Sequence, residues 1–265
     1  MVIHQTRADY GIDAPVVVRN LFLSGGVCLA LWATHVAGLW RGIVSVGPIG
    51  GTMLVFPLSS MGAWASIGLI GMGAWMLWSS KVGKLRDRER LLDHVDWTGD
   101  ERVLDVGCGR GLMLVGAAKR APRGRAAGID IWQAVDLSGN RPAATLENAR
   151  REGVAEQVSV QTADMRSMPF ADGSFDVVVS RFAIHNLATA ADRDRAVREI
   201  ARVLRPGGFV LIDDIRHTRD YSLTLLANEF RGLRDVHSRV ATVLLLFLTW
   251  GALRPGTIVA RKAVP

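Results

Sequence analysis

The sequence predicts an α/β domain preceded by a two-helix apolar hairpin, and three observations carry that reading. Between Asn20 and Ser80 the only formally charged residue is Arg41. From Lys81 onward the chain is densely charged and patterned like a globular domain. Within that second part, short runs of Val, Leu and Ile alternate with helix-like stretches, and a glycine-rich turn in VLDVGCGRG joins the first run to the first helix.

The 265 residues are enough for one large domain and a small appendage. A hydrophobic content of 49% with a mean hydropathy of +0.20 is high for a purely soluble chain. Leu21 to Trp40 gives twenty residues without a formal charge and Met53 to Trp78 gives twenty-six, against the roughly 20 needed to cross about 30 Å of hydrocarbon. A second long apolar run after RGIVSVGPIGGT argues against a cleaved secretory signal. Trp40, Trp75 and Trp78 stand where indoles favour the headgroup zone. Lys81, Lys84, Arg86, Arg88 and Arg90 crowd the exit of the second span, with Arg7 and Arg19 ahead of the first. That asymmetry predicts residues 1–80 as a membrane anchor with two transmembrane helices, the Arg41 loop outside, and residues 81–265 as a globular domain facing the cytoplasm. Gly25, Gly26, Gly47, Pro48, Gly50, Gly51 and Pro57 leave a re-entrant or interfacial hairpin open.

The lipid bilayer is thus an expected partner, and the basic cluster can meet anionic headgroups. A net charge of +7 without Lys/Arg runs interleaved with aromatics, a zinc finger or an RNA-binding signature predicts no nucleic-acid partner. Cys28 and Cys108 are too few and too differently placed for a disulfide framework, and no metal is expected.

Val103–Val106 reads as a buried strand and Leu112–Lys119 as a helix, with Gly107, Gly109 and Gly111 in the turn between them. Glycine lets a backbone pass close to a ligand. A nicotinamide fingerprint would need a third glycine at position 112, which is Leu112. The pattern D-x-G-x-G-x-G resembles motif I of the class I S-adenosylmethionine-dependent methyltransferases. Ala126–Ile131 makes a second strand with Asp130 nineteen residues after Gly111, where an acid can grip both ribose hydroxyls. Val158–Thr162 makes a third strand, followed by Ala163-Asp164-Met165. MPFADGSFDVVVSRFAIHNL resembles the family's fourth-strand motif and LRPGGFVLIDD its fifth.

The resemblance covers about residues 85 to 265 and is to the ubiquinone/menaquinone-type small-molecule enzymes among others. It implies a Rossmann-like seven-stranded, mostly parallel sheet with flanking helices, and S-adenosyl-L-methionine as cofactor. Its implied cofactor-binding set is Asp105, Gly107, Gly109, Gly111, Asp130, Ile131, Asp164, Met165 and Arg181. In this set Asp105 and the turn hold the methionine end, Asp164 the adenine amino group, and Met165 covers the ring. It also implies a terminal antiparallel hairpin, with Val240–Trp250 as one strand and Thr257–Lys262 returning beside it.

Methyl transfer is mostly positioning, plus whatever deprotonates the acceptor. Ser180–Asn186 runs through the crevice beyond the strand ends, and His185 can act as a base near neutral pH. His185 and Asn186 are the catalytic candidates; helix capping or pocket lining is the other reading of both. Asp213, Asp214 and His217 can point toward the substrate, although a turn with solvated acids is the commoner arrangement. IWQAVDLSGNRPAATLE is longer than the family commonly places after the second strand. Its Trp132, Gln133, Asp136, Ser138 and Asn140 either border the adenosine or, at Ser138-Gly139-Asn140, start a helix.

The expected function is a membrane-anchored methyltransferase for a lipophilic small-molecule or lipid acceptor. Two rivals stand beside it: a non-catalytic cofactor-binding membrane protein, whose helices pack through Gly47-x-x-x-Gly51, and a methyltransferase for a soluble acceptor. A homo-oligomer is compatible with each. Every cofactor motif lies after Glu101, so loss of residues 1–80 is expected to leave the cofactor pocket intact.

Overall fold

The computed structural model describes residues 8–49, 52–133, 137–238, 242–243 and 253–264, and they form two compact units. One unit holds residues 11–84 together with Leu137 and Ser138. The other holds residues 8–10, residues 85–133 and the chain from Gly139 onward.

The smaller unit is a helical hairpin with a β-ribbon at its bend. Helix α1 (Pro15–Val36) opens on a proline at its start, where the missing N–H and fixed φ are harmless. It ends at a left-handed Gly38, whose N–H donates to the His35 carbonyl while Leu39 N–H donates to Thr34 O at 3.0 Å. These are the paired bonds that close a helix at a glycine, so the first apolar helix stops four residues before Trp40. Strands β1 (Val44–Ile49) and β2 (Thr52–Phe56) pair antiparallel. The second apolar helix, α2 (Leu58–Trp78), therefore starts five residues later than the uncharged run that begins at Met53. Pro57 explains the delay: it keeps the residue before it extended, and the β-branched and aromatic residues ahead of it suit a strand. Gly47 lies in β1, and Gly51 is outside the described residues, so the expected G-x-x-x-G does not ride on a helix.

The two helices approach through small residues. A Cβ on Gly25 would stand 2.7 Å from Ile70 Cγ1, closer than carbon atoms tolerate. Helix α2 runs on through a π-helical turn at Ser79–Gly83 into α3 (Lys84–Leu92). A buried Lys84 donates to Asp13 Oδ1 at 2.9 Å and to Gly11 O at 3.1 Å. The chain ahead of α1 is thereby tied to the end of α2.

The larger unit is a seven-stranded sheet. Its strands are β3 (Arg102–Val106), β4 (Arg125–Asp130), β5 (Val158–Thr162), β6 (Phe175–Arg181), β7 (Leu204–Asp214), β8 (Phe230–Asp235) and β9 (Gly256–Lys262). They lie in the order β5-β4-β3-β6-β7-β9-β8, parallel except for the two pairings made by β9. Helices α4 (Leu112–Arg120), α5 (Pro142–Arg151), α6 (Ala190–Val203) and α7 (Thr218–Ala227) complete it. Because side chains alternate along a strand, Val178 packs into one apolar layer with α6 and α7 residues. Val177 and Val179 enter the other, with Leu92 and the apolar residues of α4. A strand buried on both faces needs a continuous apolar run, which VVV supplies.

The terminal antiparallel pair is present, but its outer strand is β8, not Val240–Trp250. Of that segment only Thr242 and Val243, both helical, are among the described residues. Strand β8 was missed because FRGLRD has no apolar run. Five of its six residues are at least partly exposed, as suits an edge strand blunted by charge.

Candidate active site

The glycine turn sits where β3 ends, at the crossing point of the parallel strands. Gly107 and Cys108 both donate to the Ile129 carbonyl, at 2.9 and 3.0 Å, which binds the turn to the end of β4. Gly107, Gly109 and Gly111 all have positive φ, a region that side-chain-bearing residues resist. Gly107 is also sterically required: a Cβ there would lie 2.3 Å from the Ala183 Cβ and 3.6 Å from Met165 Cε. The turn, Met165 from the β5 loop and Ala183 from the β6 loop thus converge, and Gly107 is packed against Ala183 with no room for a side chain.

Asp105 is buried beneath the turn, and Oδ2 accepts from Leu114 N at 2.8 Å, capping the first turn of α4. Burial, with the Asp130 charge nearby, pushes its carboxyl up to about 8. Asp130 closes β4 and is half-buried. Gly109 N donates to its Oδ2 at 2.8 Å, while Trp132 N at 2.6 Å and the Asn140 amide at 3.3 Å donate to Oδ1. A carboxylate offers about four lone-pair sites, so the turn and the inserted loop already hold Asp130 in a fixed pose. Ile131, the next residue, is exposed. Asp164 accepts from Arg166 through its backbone N–H and through the guanidinium, the shortest contact being 2.6 Å. The Arg166 charge keeps the Asp164 carboxyl below its ordinary range.

The inserted loop after β4 does not start α5 at Ser138, as one reading expected. Helix α5 begins at Pro142, with Arg141 as an N-cap that makes no side-chain bond. Ser138 instead belongs to the hairpin unit: its hydroxyl accepts from Ile12 N at 2.8 Å, and its N–H donates to Ile12 O at 3.2 Å. Asp136 lies outside the described residues.

At the end of β6, Arg181 turns to carboxylates. Its Nε donates to Asp213 Oδ2 at 2.9 Å, and Nη2 lies 3.5 Å from Asp87. The guanidinium also stacks 4.5 Å from the Phe182 ring centre. Thr257 donates to the other Asp213 oxygen at 2.7 Å. These contacts read first as an ion-pair knot, although they leave Arg181 beside the strand end.

His185 sits in a short 3-10 turn, Ile184–Asn186, and its Nδ1 is 2.5 Å from Asp214 Oδ1. Its backbone N–H donates to Asp214 Oδ2 at 3.0 Å. Ile215 N and the Tyr221 hydroxyl also donate to Asp214, which has no exposed surface. The other contacts of Asp214 are all donors, so Nδ1–H of His185 donates to this carboxylate as well. Asn186 is exposed on the same turn. The expectation of solvated acids here is corrected: Asp213 and Asp214 are both buried. Asp213 is satisfied by Arg181 and Thr257 and Asp214 in part by His185, all about thirty or more positions away, so no local pattern marks these contacts.

The same is true of the turn's supports. Thr145 donates to Gly109 O at 2.7 Å, and Asn148 donates to Arg110 O at 2.9 Å, both from the buried face of α5. Asp9 and Tyr10, far ahead in the chain, pack into this unit through Asn148, Arg110, Arg88 and Glu152. The supports of the glycine turn therefore do not all lie after Glu101.

Residues 104–212 match the family model of a methyltransferase domain. The chain is 35% identical over 155 residues to the methyltransferase GfsG of Streptomyces halstedii, covering 58% of this chain and 52% of that protein. It is 30% identical over 125 residues to the ubiquinone/menaquinone biosynthesis C-methyltransferase UbiE of Dinoroseobacter shibae, covering 47% and 46%. The chain thus spans about half the length of these curated relatives. Geranyl diphosphate C-methyltransferase from Streptomyces coelicolor A3(2), solved with Mg2+, geranyl diphosphate and S-adenosyl-L-homocysteine, has the same fold. Its TM-score is 0.52 at 17% identity, over 67% of this chain and 80% of that one. Residues 104–212 thus resemble a methyltransferase domain, and S-adenosylmethionine is the cofactor that this likeness supports.

Proposed function

We propose that the protein is a membrane-anchored methyltransferase that transfers a methyl group from S-adenosylmethionine to a lipophilic small-molecule or lipid acceptor. The observation that carries the catalytic half is the His185–Asp214 pair, two residues along the chain from the Ala183 that packs against Gly107 of the glycine turn.

Asp105 and the Gly107–Gly111 turn would hold the methionine end of the cofactor, Asp130 and Ile131 the ribose side, and Asp164 and Met165 the adenine. When bound, the cofactor supplies an electrophilic methyl on a sulfonium. The chain's own work is to place the acceptor in line and to take its proton. Asp214 fixes the tautomer of His185, so that Nε2 can receive a proton from an acceptor hydroxyl, thiol, amine or acidic carbon. Arg181 serves best as a brace between β6, Asp213 and Asp87, and Asn186 as a rim residue of the acceptor side.

The anchoring half is supported by the hairpin's surface. Leu23, Val27, Trp64, Ile67 and Trp75 are each more than 60% exposed, and only Val18, Gly25, Ser66 and Gly73 of the two helices are buried. A soluble core helix hides such a surface; lipid covers it otherwise. Both helices are long and apolar enough to cross a bilayer. A tethered domain meets bilayer-dissolved acceptors at raised effective concentration, which favours a lipophilic acceptor over a soluble one.

The test is to incubate the protein with labelled S-adenosylmethionine and extracts of its own membranes and to identify the product. Label in the lipid-soluble fraction, lost in His185→Ala, is the expected result. Label only in water-soluble material overturns the acceptor class. Cofactor binding without any transfer favours a non-catalytic protein.

A further inference from the structure

We propose that Asp9 and Tyr10, which precede the first apolar helix, are positioning residues for the cofactor turn. This rests on the reading of that turn as the S-adenosylmethionine site. The turn's backbone is held from outside: Gly109 O and Arg110 O accept from Thr145 and Asn148, and Gly109 N donates to Asp130. Of these supports, Asn148 is the one that depends on the distant N-terminal segment. Its side chain is 1% exposed. Its amide nitrogen donates to Asp9 O at 2.9 Å as well as to Arg110 O, and its oxygen accepts from Asp9 N at 2.9 Å.

A side-chain amide that exchanges both bonds with one backbone residue is locked in orientation, because rotating it would break two contacts at once. The third bond then points at the turn. Asp9 adds a second hold through its side chain, since Arg110 Nη2 donates to Oδ2 at 3.1 Å. Asp9 thus grips Arg110, the residue between Gly109 and Gly111, by its side chain directly and by its carbonyl through Asn148.

Tyr10 makes the grip durable. Its ring is buried, the Arg88 guanidinium lies 5.7 Å from the ring centre, and its hydroxyl bonds Glu152. Glu152 also accepts from Arg88 at 3.2 Å and from Lys119 at 2.6 Å. The network joins the strap to α3, to the end of α5 and to α4, the helix that leaves the turn. The next residue, Gly11, already belongs to the hairpin unit. An anchor that is cut away or misplaced in the chain therefore takes a support of the cofactor site with it.

Cofactor affinity can be measured by calorimetry without knowing the acceptor. In the full-length protein in detergent, Asp9→Ala is expected to weaken S-adenosylmethionine binding about tenfold, on the scale of one hydrogen bond to a charged group. Asp9→Asn, which keeps an oxygen for Arg110, should recover most of that loss. Deletion of residues 1–10 should weaken binding further, and deletion of residues 1–7 should leave it unchanged. A purely structural role would lower the cofactor-free melting temperature of Asp9→Ala and leave its affinity intact, which overturns the proposal. Because linkage is reciprocal, cofactor should slow hydrogen exchange at the Asp9 amide in the wild type. Wild-type affinity shared by Asp9→Ala and the 1–10 deletion, with no such slowing, overturns the strap alone. Failure of the wild type to bind S-adenosylmethionine overturns the site itself.

Discussion

The two units handle apolar side chains in opposite ways. In the sheet unit Leu104, Val178, Ile200 and Leu211 have no exposed surface, and each belongs to a layer closed by helices. In the hairpin unit Trp64 is 74% exposed and Ile67 64%. Two helices offer each other one stripe apiece, and a helix that is apolar all round has no stripe to spare for water. The contrast shows that hydrophobic content alone does not describe a fold. The sheet unit covers its own apolar side chains, whereas the hairpin leaves many of them exposed.

The largest effect is expected in the sheet unit: His185→Ala should lower methyl transfer about 10²–10⁴-fold, the usual worth of a positioned base. Asp214→Asn should fall with it if the tautomer is what matters. Retained turnover in a folded His185→Ala protein removes the base. The next effect separates the two solvents. Ile67→Asp should cost about 2.5–3.5 kcal/mol if that face lies at the centre of a bilayer, and within about 0.5 kcal/mol if it faces water. The readout is the fraction of protein retained in alkali-washed membranes, and unchanged retention argues for an interfacial or water-facing hairpin.

A third test returns to the sheet unit. Asp130→Ala should weaken S-adenosylmethionine binding by about 1.5–3 kcal/mol, read by calorimetry. Because Asp130 also gathers Gly109, Trp132 and Asn140, part of that loss will come from a loosened turn. Asn140→Ala, which removes one loop donor and leaves the carboxylate, measures that share. The last expected effect is on stability. Burial raises Asp105 to about 8 in the folded protein, above the roughly 3.9 of an unfolded aspartate. The folded state therefore holds a proton that the unfolded state releases. The stabilisation is complete below about pH 4 and fades as pH rises through about 8. Asp105→Asn should flatten the fall in melting temperature between pH 6 and pH 8.5, while leaving the slope set by other groups. An unchanged slope means that Asp105 does not titrate in that range.

The chain's own order fixed a good deal. Charge-free runs of twenty or more residues mark the two apolar helices, because crossing or avoiding water depends on composition. Local turn chemistry marks Gly107, Gly109 and Gly111, because positive φ is a property of the single residue. The continuous apolar VVV of β6 marks a strand covered on both faces for the same local reason. The sequence misled where local signals met distant partners. Met53–Phe56 is apolar enough for a helix but pairs as a strand ahead of Pro57, and β8 is polar enough for a loop but completes the sheet edge. Asp213 and Asp214 look like solvated turn acids until Arg181, Thr257, His185 and Tyr221 close around them. Only the tertiary structure brings Asp9 and Tyr10 to Asn148, Arg110 and Glu152, up to 142 positions away. Hydrogen bonds between residues so far apart leave no period or spacing in the sequence, because what aligns them is the packing of α3, α4 and α5 on the sheet.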